Sequence, residues 1–213
     1  MSHSHDHDHD QNHNHEHEHI HHHSHGHEVP WSDAVAQWFE PGWNDPQMRW
    51  VTHAAELAAD DVVVDVDCGD GRWLGAAAAW VVRGQLIGVT PTIAASRAAV
   101  AGHPDVARLD LRFGSTSVLP VADGVATVAW SIGLSRWQDP AASVAELHRI
   151  LRPGGRLMIA AEAEACGIAP SDPADPAPLK ALLRAAGFRG VEVRRYRDGA
   201  QRYVMFVAGR SRV

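Results

Sequence analysis

The stretch VVVDVDCGDGRW, Val62 to Trp73, places three carboxylates (Asp65, Asp67 and Asp70) beside two glycines (Gly69 and Gly71). An apolar run that enters a glycine turn is the usual place to hold a nucleotide-like ligand, because open α/β sheets bind ligands beyond the carboxyl ends of their strands. Gly69 and Gly71 let the backbone approach such a ligand closely. Asp67 stands where such a turn ordinarily carries a glycine. Two other ligand classes fail on spacing. A nicotinamide site needs Gly-x-Gly-x-x-Gly/Ala, and the sixth position counted from Gly69 is Leu74. A phosphate loop ending in Gly-Lys-Ser/Thr is absent.

A second group of chemically capable residues lies at the start of the chain. Residues 1–28 hold 13 of the 16 histidines: His3, His5, His7, His9, His13, His15, His17, His19, His21, His22, His23, His25 and His27. Imidazole is a good ligand for zinc, nickel and copper, and the interleaved Asp and Glu add oxygen donors. Weak, multi-site metal binding follows from that chemistry. The segment has almost nothing apolar to bury, so it is expected to be disordered. It reads either as a metal-buffering or metal-sensing arm or as a solvated tail.

The length of 213 residues allows one α/β domain plus this tail, divided as 1–28 and 29–213. No apolar run reaches membrane-spanning length, and the polar first thirty residues do not read as a signal peptide. Cys68 and Cys166 are too few for a disulfide framework, which makes a reducing cytoplasm the expected compartment. The net charge of -7 is uneven: six acids and no Lys or Arg fall in 1–28, leaving 20 acids against 19 bases in the body. That balance gives no reason to expect a nucleic-acid partner.

The elements that must position the turn alternate strand and helix. PWSDAVAQWF suggests a short helix, and NDPQMRWVTHAAELAA a second, with Asp45 as N-cap, Pro46 at the first helical position and Asp60-Asp61 at its end. Val62–Val66 reads as a central parallel strand. RWLGAAAAWVV is helical up to Gly84, QLIGV a strand, and TIAASRAAVAG a helix. LDLRFG and VATVAW are strands. PAASVAELHRIL is an amphipathic helix closed by Pro153-Gly154-Gly155, and RLMIAA a fifth strand. Residues 162–178 read as a loop, followed by the helix LKALLRAAG. GVEVRRY and QRYVMFVAG flank a hairpin turn at 197–200 and must be antiparallel. The prediction is a doubly wound, mostly parallel Rossmann-like sheet with a C-terminal antiparallel hairpin.

In this order the segments resemble the class I S-adenosylmethionine-dependent methyltransferases of the small-molecule type, over roughly Asp45 to Ala208. VVDVDCGDG is similar to the family's first motif and GVTPTIAASRAA to its second. WSIGLSRWQDPAASVAELHRILRPGGRLMIA is similar to the segment after strand four, the Glu-x-x-Arg helix, the Arg-Pro-Gly-Gly turn and strand five; Leu119-Pro120 also fits. The resemblance implies S-adenosylmethionine as cofactor, a small molecule as methyl acceptor, and cofactor contacts from Asp65, Asp67, Gly69, Gly71, Thr90, Pro91, Ser115, Thr116 and Ser131.

The pattern departs from the family at several of these positions. Asp67 replaces the first motif glycine. Thr90 stands where a carboxylate usually holds the ribose hydroxyls, and a hydroxyl offers one neutral hydrogen bond where a carboxylate can accept two with charge assistance. Gly114-Ser115-Thr116 replaces Gly-Asp-Ala, and Val125-Ala126 replaces Phe-Asp. These losses raise a second reading: a catalytically degenerate relative serving as a binding or interaction module. Methyl transfer needs positioning and water exclusion more than a visible catalytic group, and no catalytic residue stands out. His53 is a candidate base, His148 reads as structural, and Trp43, Trp130 and Trp137 read as core or as cavity wall. Ser131, Leu134 and Trp137 follow strand four and are expected on the acceptor side.

Overall fold

The computed structural model describes residues 46–92, 94, 109–134, 137–163 and 175–212. The histidine-rich segment, the helix expected in PWSDAVAQWF, most of TIAASRAAVAG, and Trp43, Asp45, His103 and Cys166 lie outside the described residues.

Helix α1 (Pro46–Ala55) begins on proline, whose missing N–H is one that a helix start leaves unbonded anyway. It stops at Ala55, short of the predicted end, because Asp61 takes over the following backbone. The Asp61 Oδ2 accepts the Ala58 N–H at 2.8 Å, and Glu56 turns to a φ of +48°. Strand β1 (Val62–Val66) follows, then α2 (Arg72–Ala78). That helix also ends before its predicted limit; beyond it, the N–H groups of Arg83 and Gly84 both reach the Ala59 carbonyl, at 2.7 and 2.9 Å. Only glycine fits at 84: a Cβ there would lie 1.8 Å from the Asp61 carbonyl oxygen.

Strands β2 (Gln85–Thr90), β3 (Leu109–Phe113) and β4 (Ala126–Ile132) match the expected runs closely. Helix α3 (Pro140–Ile150) is capped by Asp139, whose carboxylate accepts the Ala142 N–H at 3.0 Å. Strand β5 (Leu151–Glu162) begins at once. The Pro153-Gly154-Gly155 segment, read in the sequence as a closing turn, is absorbed into this strand where its register against β4 shifts. Helix α4 (Ala177–Ala185) starts just inside the stretch expected to be loop. Strands β6 (Phe188–Asp198) and β7 (Gln201–Arg210) pair antiparallel across the two-residue loop Gly199-Ala200.

The seven strands form one sheet in the order β3-β2-β1-β4-β5-β7-β6. Strands β1 to β5 are mutually parallel, and β7 runs antiparallel between β5 and β6. Alternate residues of each strand feed the two faces. Val64, Val66, Ile87 and Val89 pack with Val144 and Leu147 of α3 and Leu179 and Leu183 of α4. Val63, Leu86, Val128 and Met158 pack with Met48 and Val51 of α1 and Trp73 and Leu74 of α2. Each such fully buried side chain contributes roughly 1.5–3 kcal/mol. No helix among the described residues is long and apolar enough to cross a membrane.

Three polar networks fasten the amino ends of the parallel strands. The buried Asp61 accepts from Thr127 Oγ1 at 2.6 Å and from Arg156 at 2.9 Å, while Thr127 Oγ1 accepts the Val62 N–H at 2.9 Å. On α3, Glu146 accepts the Leu119 N–H at 2.7 Å and two N–H groups of Arg149. Arg149 also donates to the carbonyls of Val121 and Leu119 and to Asp123. The Glu-x-x-Arg motif is therefore a clamp on the segment entering β4, and the Arg149 hydrogen bond holds the Glu146 carboxyl below its usual range. Arg210 donates to the carbonyls of His148, Arg149 and Leu151 where α3 ends.

Candidate functional site

At the carboxyl end of β1 the chain turns through three residues of positive φ: Asp67 at +66°, Gly69 at +56° and Gly71 at +78°. The left-handed conformation favours glycine, and Asp is among the few other residues that visit it. Asp67 thus adopts a backbone conformation that glycine favours while carrying a carboxylate. Two hydrogen bonds fix it. The Cys68 N–H donates to the Val89 carbonyl at 3.0 Å, and the Gly71 N–H to the Cys68 carbonyl at 2.9 Å. A Cβ built on Gly69 would meet nothing within 4 Å, so this glycine faces open space. Asp70 accepts the Arg72 N–H at 3.2 Å at the start of α2.

Beside the turn lies a cavity of about 320 Å³, lined by Asp67, Pro91, Gly114, Ser115, Thr116, Ser117 and Gln138. Four of the nine residues expected around a cofactor therefore share one cavity: Asp67, Pro91, Ser115 and Thr116. Its volume is at the lower end of the range for small-molecule sites. Thr116 Oγ1 accepts from Ser143 on α3 at 2.9 Å, which ties this wall to the helix behind it.

The remaining five are placed otherwise. Gly69 and Gly71 belong to the turn. Thr90 is fully buried, and its hydroxyl accepts the Thr92 N–H at 3.4 Å, so it is not presented to the cavity. Ser131 is also fully buried; it accepts from the Trp137 indole at 3.2 Å and donates to the Gly133 carbonyl at 3.4 Å. Leu134 and Trp137 are buried with it, so the expected acceptor-side residues after β4 act as packing. Gln138, Ser117 and Gly114 were not expected. Gln138 is foreshadowed only by its place directly before the Asp139 helix cap.

Asp65 is buried under the turn, on the face of the sheet covered by α1 and α2. Burial raises its carboxyl pKa to about 8, the Trp130 indole lowers it, and the charges of Asp67 and Asp70 raise it further. Trp130 is nevertheless outside hydrogen-bond geometry: its Nε1 and the Asp65 Oδ2 are both buried without a partner. A buried unpaired carboxylate is costly, so the protonated form is the favoured one near neutrality. Burial, with the charges of Asp65 and Asp67, pushes the neighbouring Cys68 thiol up to about 12.

His53 lies apart, in a separate cavity of about 280 Å³ with Arg49, Thr52, Glu56, Leu57 and Trp80. His148 packs edge-on against Phe188 with ring centroids 5.0 Å apart, and burial followed by the Arg210 charge lowers its pKa, in keeping with a structural role. Trp130 is core. No group of three or more His, Cys, Asp or Glu among the described residues is placed to hold a metal ion.

Comparison with known proteins bears on the fold. Residues 64–159, from β1 to β5, match a family model described as a methyltransferase domain. A demethylmenaquinone methyltransferase of Lactiplantibacillus plantarum is 32% identical over 107 residues, covering 48% of this chain and 45% of that protein. The chain spans less than half the length of the curated relatives it matches. Among solved structures, a geranyl diphosphate methyltransferase in complex with S-adenosylmethionine superposes with a TM-score of 0.66 at 16% identity, covering 85% of this chain and 92% of that one. The [4+2]-cyclase SpnF superposes equally well, with a TM-score of 0.66 at 17% identity over 78% and 80% of the two chains. Residues 64–159 thus match a methyltransferase-domain model, and the described fold is the one these solved structures share.

Proposed function

We propose that the chain binds S-adenosylmethionine at the Asp67–Gly71 turn and transfers its methyl group to a small-molecule acceptor. The observation that carries this reading is the turn itself: it keeps three left-handed residues, opens at Gly69, and adjoins the cavity walled by Asp67, Ser115 and Thr116. The residues present fit the cofactor. Gly69 and Gly71 give its backbone-facing side room, and the Asp67 carboxylate can accept from its ammonium or ribose hydroxyls. Ser115 and Thr116 add neutral polar contacts. When bound, the cofactor supplies a methyl group already activated on a sulfonium, so the protein's part is to orient the acceptor and exclude water. The buried Asp65, protonated near neutrality, keeps a second full charge from adding to Asp67 beneath the site. The charge balance and the two cysteines support a reducing cytoplasm and no nucleic-acid partner.

Titration with S-adenosylmethionine and S-adenosylhomocysteine tests the reading. A ligand of the native state raises the melting temperature. Gly69→Val should abolish the rise, because its side chain fills the open approach. Absence of any rise at millimolar ligand overturns the proposal.

One observation favours a second reading, a binding module without catalysis. Thr90 is buried and engaged, so among the described residues at the end of β2 no acid stands in the place where the family holds the ribose. SpnF, a cyclase by its description, carries the same fold, and a fold does not fix an activity. Thr90→Asp probes the pocket: tighter cofactor binding is expected of an eroded site, and little gain or a loss of relocated contacts, while a methyl-transfer assay separates catalysis from binding alone. On either reading the histidine-rich segment is proposed to bind zinc, nickel or copper weakly, and calorimetry with and without residues 1–28 checks that.

A further inference from the structure

The cavity beside Asp67 has two unlike ends. One is the turn that follows β1. The other is the loop that follows β3, Gly114 to Ser117, together with Gln138 just before α3. Strand β2 lies between β1 and β3, so the two ends are separated by about two strand spacings, roughly 10 Å. Pro91 and the bare backbone of Gly114 complete the wall. A Cβ at Gly114 would lie 2.5 Å from Pro120 Cδ, which confines the position to glycine. A proline ring beside a side-chain-free backbone makes a surface suited to a planar ring.

The polar side chains at the loop end have no fixed polarity. Ser115 Oγ and Ser117 Oγ lie 3.4 Å apart, and either can donate to the other. Reversing that bond moves the free proton from one hydroxyl to the other, so each can present a donor or an acceptor to a ligand. The backbone that carries them is braced: the Gly114 N–H donates to the Thr90 carbonyl at 3.1 Å, and the Val118 N–H to the Ser115 carbonyl at 3.3 Å. The Gln138 side chain has no hydrogen-bond partner among the described residues. Its amide carries an acceptor and a donor that exchange places on a half-turn. Among the described residues that line the cavity, the only ionisable side chain is Asp67, at the other end.

We infer that the loop end of this cavity holds the base of a purine nucleoside ligand, and that Gln138 lets it take 6-amino and 6-oxo purines about equally. This rests on the reading that places S-adenosylmethionine at the turn, and it widens the ligand class from adenosyl to 6-oxopurine nucleosides. Adenine offers an N6 donor beside the N1 acceptor, whereas a 6-oxopurine offers an O6 acceptor beside an N1–H donor. The Gln138 amide complements the first edge with its oxygen toward N6, and the second when turned over. The Ser115–Ser117 pair reverses in the same way. A carboxylate in place of the amide only accepts, so it pairs with the 6-amino group and opposes O6. Sites of fixed polarity reject the wrong edge because a polar group is left unpaired. A site whose polar groups turn does not.

The test is calorimetry on the full chain with S-adenosylhomocysteine and S-inosylhomocysteine, whose bases differ as 6-amino and 6-oxo purine. The variant is Gln138→Glu, whose carboxylate is ionised at about pH 7.5. Position 138 is exposed, so the variant should melt with wild type in the absence of ligand. Wild type is expected to bind the two ligands within about fivefold of each other, and Gln138→Glu to shift the ratio toward the adenosyl ligand by about fivefold or more. A larger preference for either ligand in wild type overturns the inference and leaves the methyl-donor site standing. A smaller shift in Gln138→Glu overturns the part assigned to Gln138. Failure of both ligands to bind wild type overturns the methyl-donor reading itself, and this inference with it.

Discussion

Asp65 on β1 and Trp130 on β4 are register partners, and each buries a polar atom, Oδ2 and Nε1, that has no hydrogen-bond partner. The sheet thus holds an acid and a donor side by side without joining them.

This pair makes stability pH-dependent. The Asp65 pKa is 3.8 in its unperturbed state and about 8 when folded, burial being the largest cause. Between these values the folded chain holds a proton that the unfolded chain has lost. Stability is therefore fully present below the lower value and declines as pH rises toward the higher one, by on the order of 1 kcal/mol per pH unit. Asp65→Asn removes this contribution. Urea denaturation at several pH values should show a shallower decline for the variant than for wild type; parallel curves would mean that Asp65 ionises freely.

Cys68 should be inert. Its thiol is buried and raised to about 12, so thiolate is scarce at neutral pH. In a Cys166→Ser background, an aromatic disulfide reagent should label Cys68 only as fast as the domain opens, and immediately in denaturant.

The backbone at Asp67 predicts an order of stabilities. Asp67→Gly removes the left-handed penalty but adds chain entropy on unfolding, so its net effect is small. Asp67→Ala keeps the penalty without the local hydrogen bonding available to Asp. We expect Ala to be less stable than Gly by about 1 kcal/mol in chemical denaturation.

Arg149 joins Glu146, Asp123 and two carbonyls in one clamp. Arg149→Lys preserves the charge but not the fork, and should cost roughly 1–3 kcal/mol of unfolding free energy. Methyl-donor affinity should be unchanged by it, because the clamp lies at the end of the sheet opposite the turn.

The strand order, the hairpin and the turn were legible because apolar runs, capping residues and glycines report local backbone states. Where the sequence misled, a distant partner decided. Asp61 ends α1 by capturing the Ala58 N–H, and Ala59 holds the chain after α2 by accepting from Arg83 and Gly84. Neither partnership has a local signature. The site was legible to a similar extent. Motif spacing brought Asp67, Pro91, Ser115 and Thr116 to one wall, yet the same reasoning set Thr90 and Ser131 there too. Which way a strand-end hydroxyl points depends on neighbours such as Thr92 and Trp137, and residue type does not encode it.

The three amino-end networks carry an evolutionary consequence. Asp61, Glu146 and Arg210 anchor the strands at one end of the sheet, and the cavity-lining positions 67 and 115 occupy the other. Substitutions in the cavity lining therefore leave these three anchors intact. A lineage built this way can vary its cavity lining while the anchored scaffold is retained.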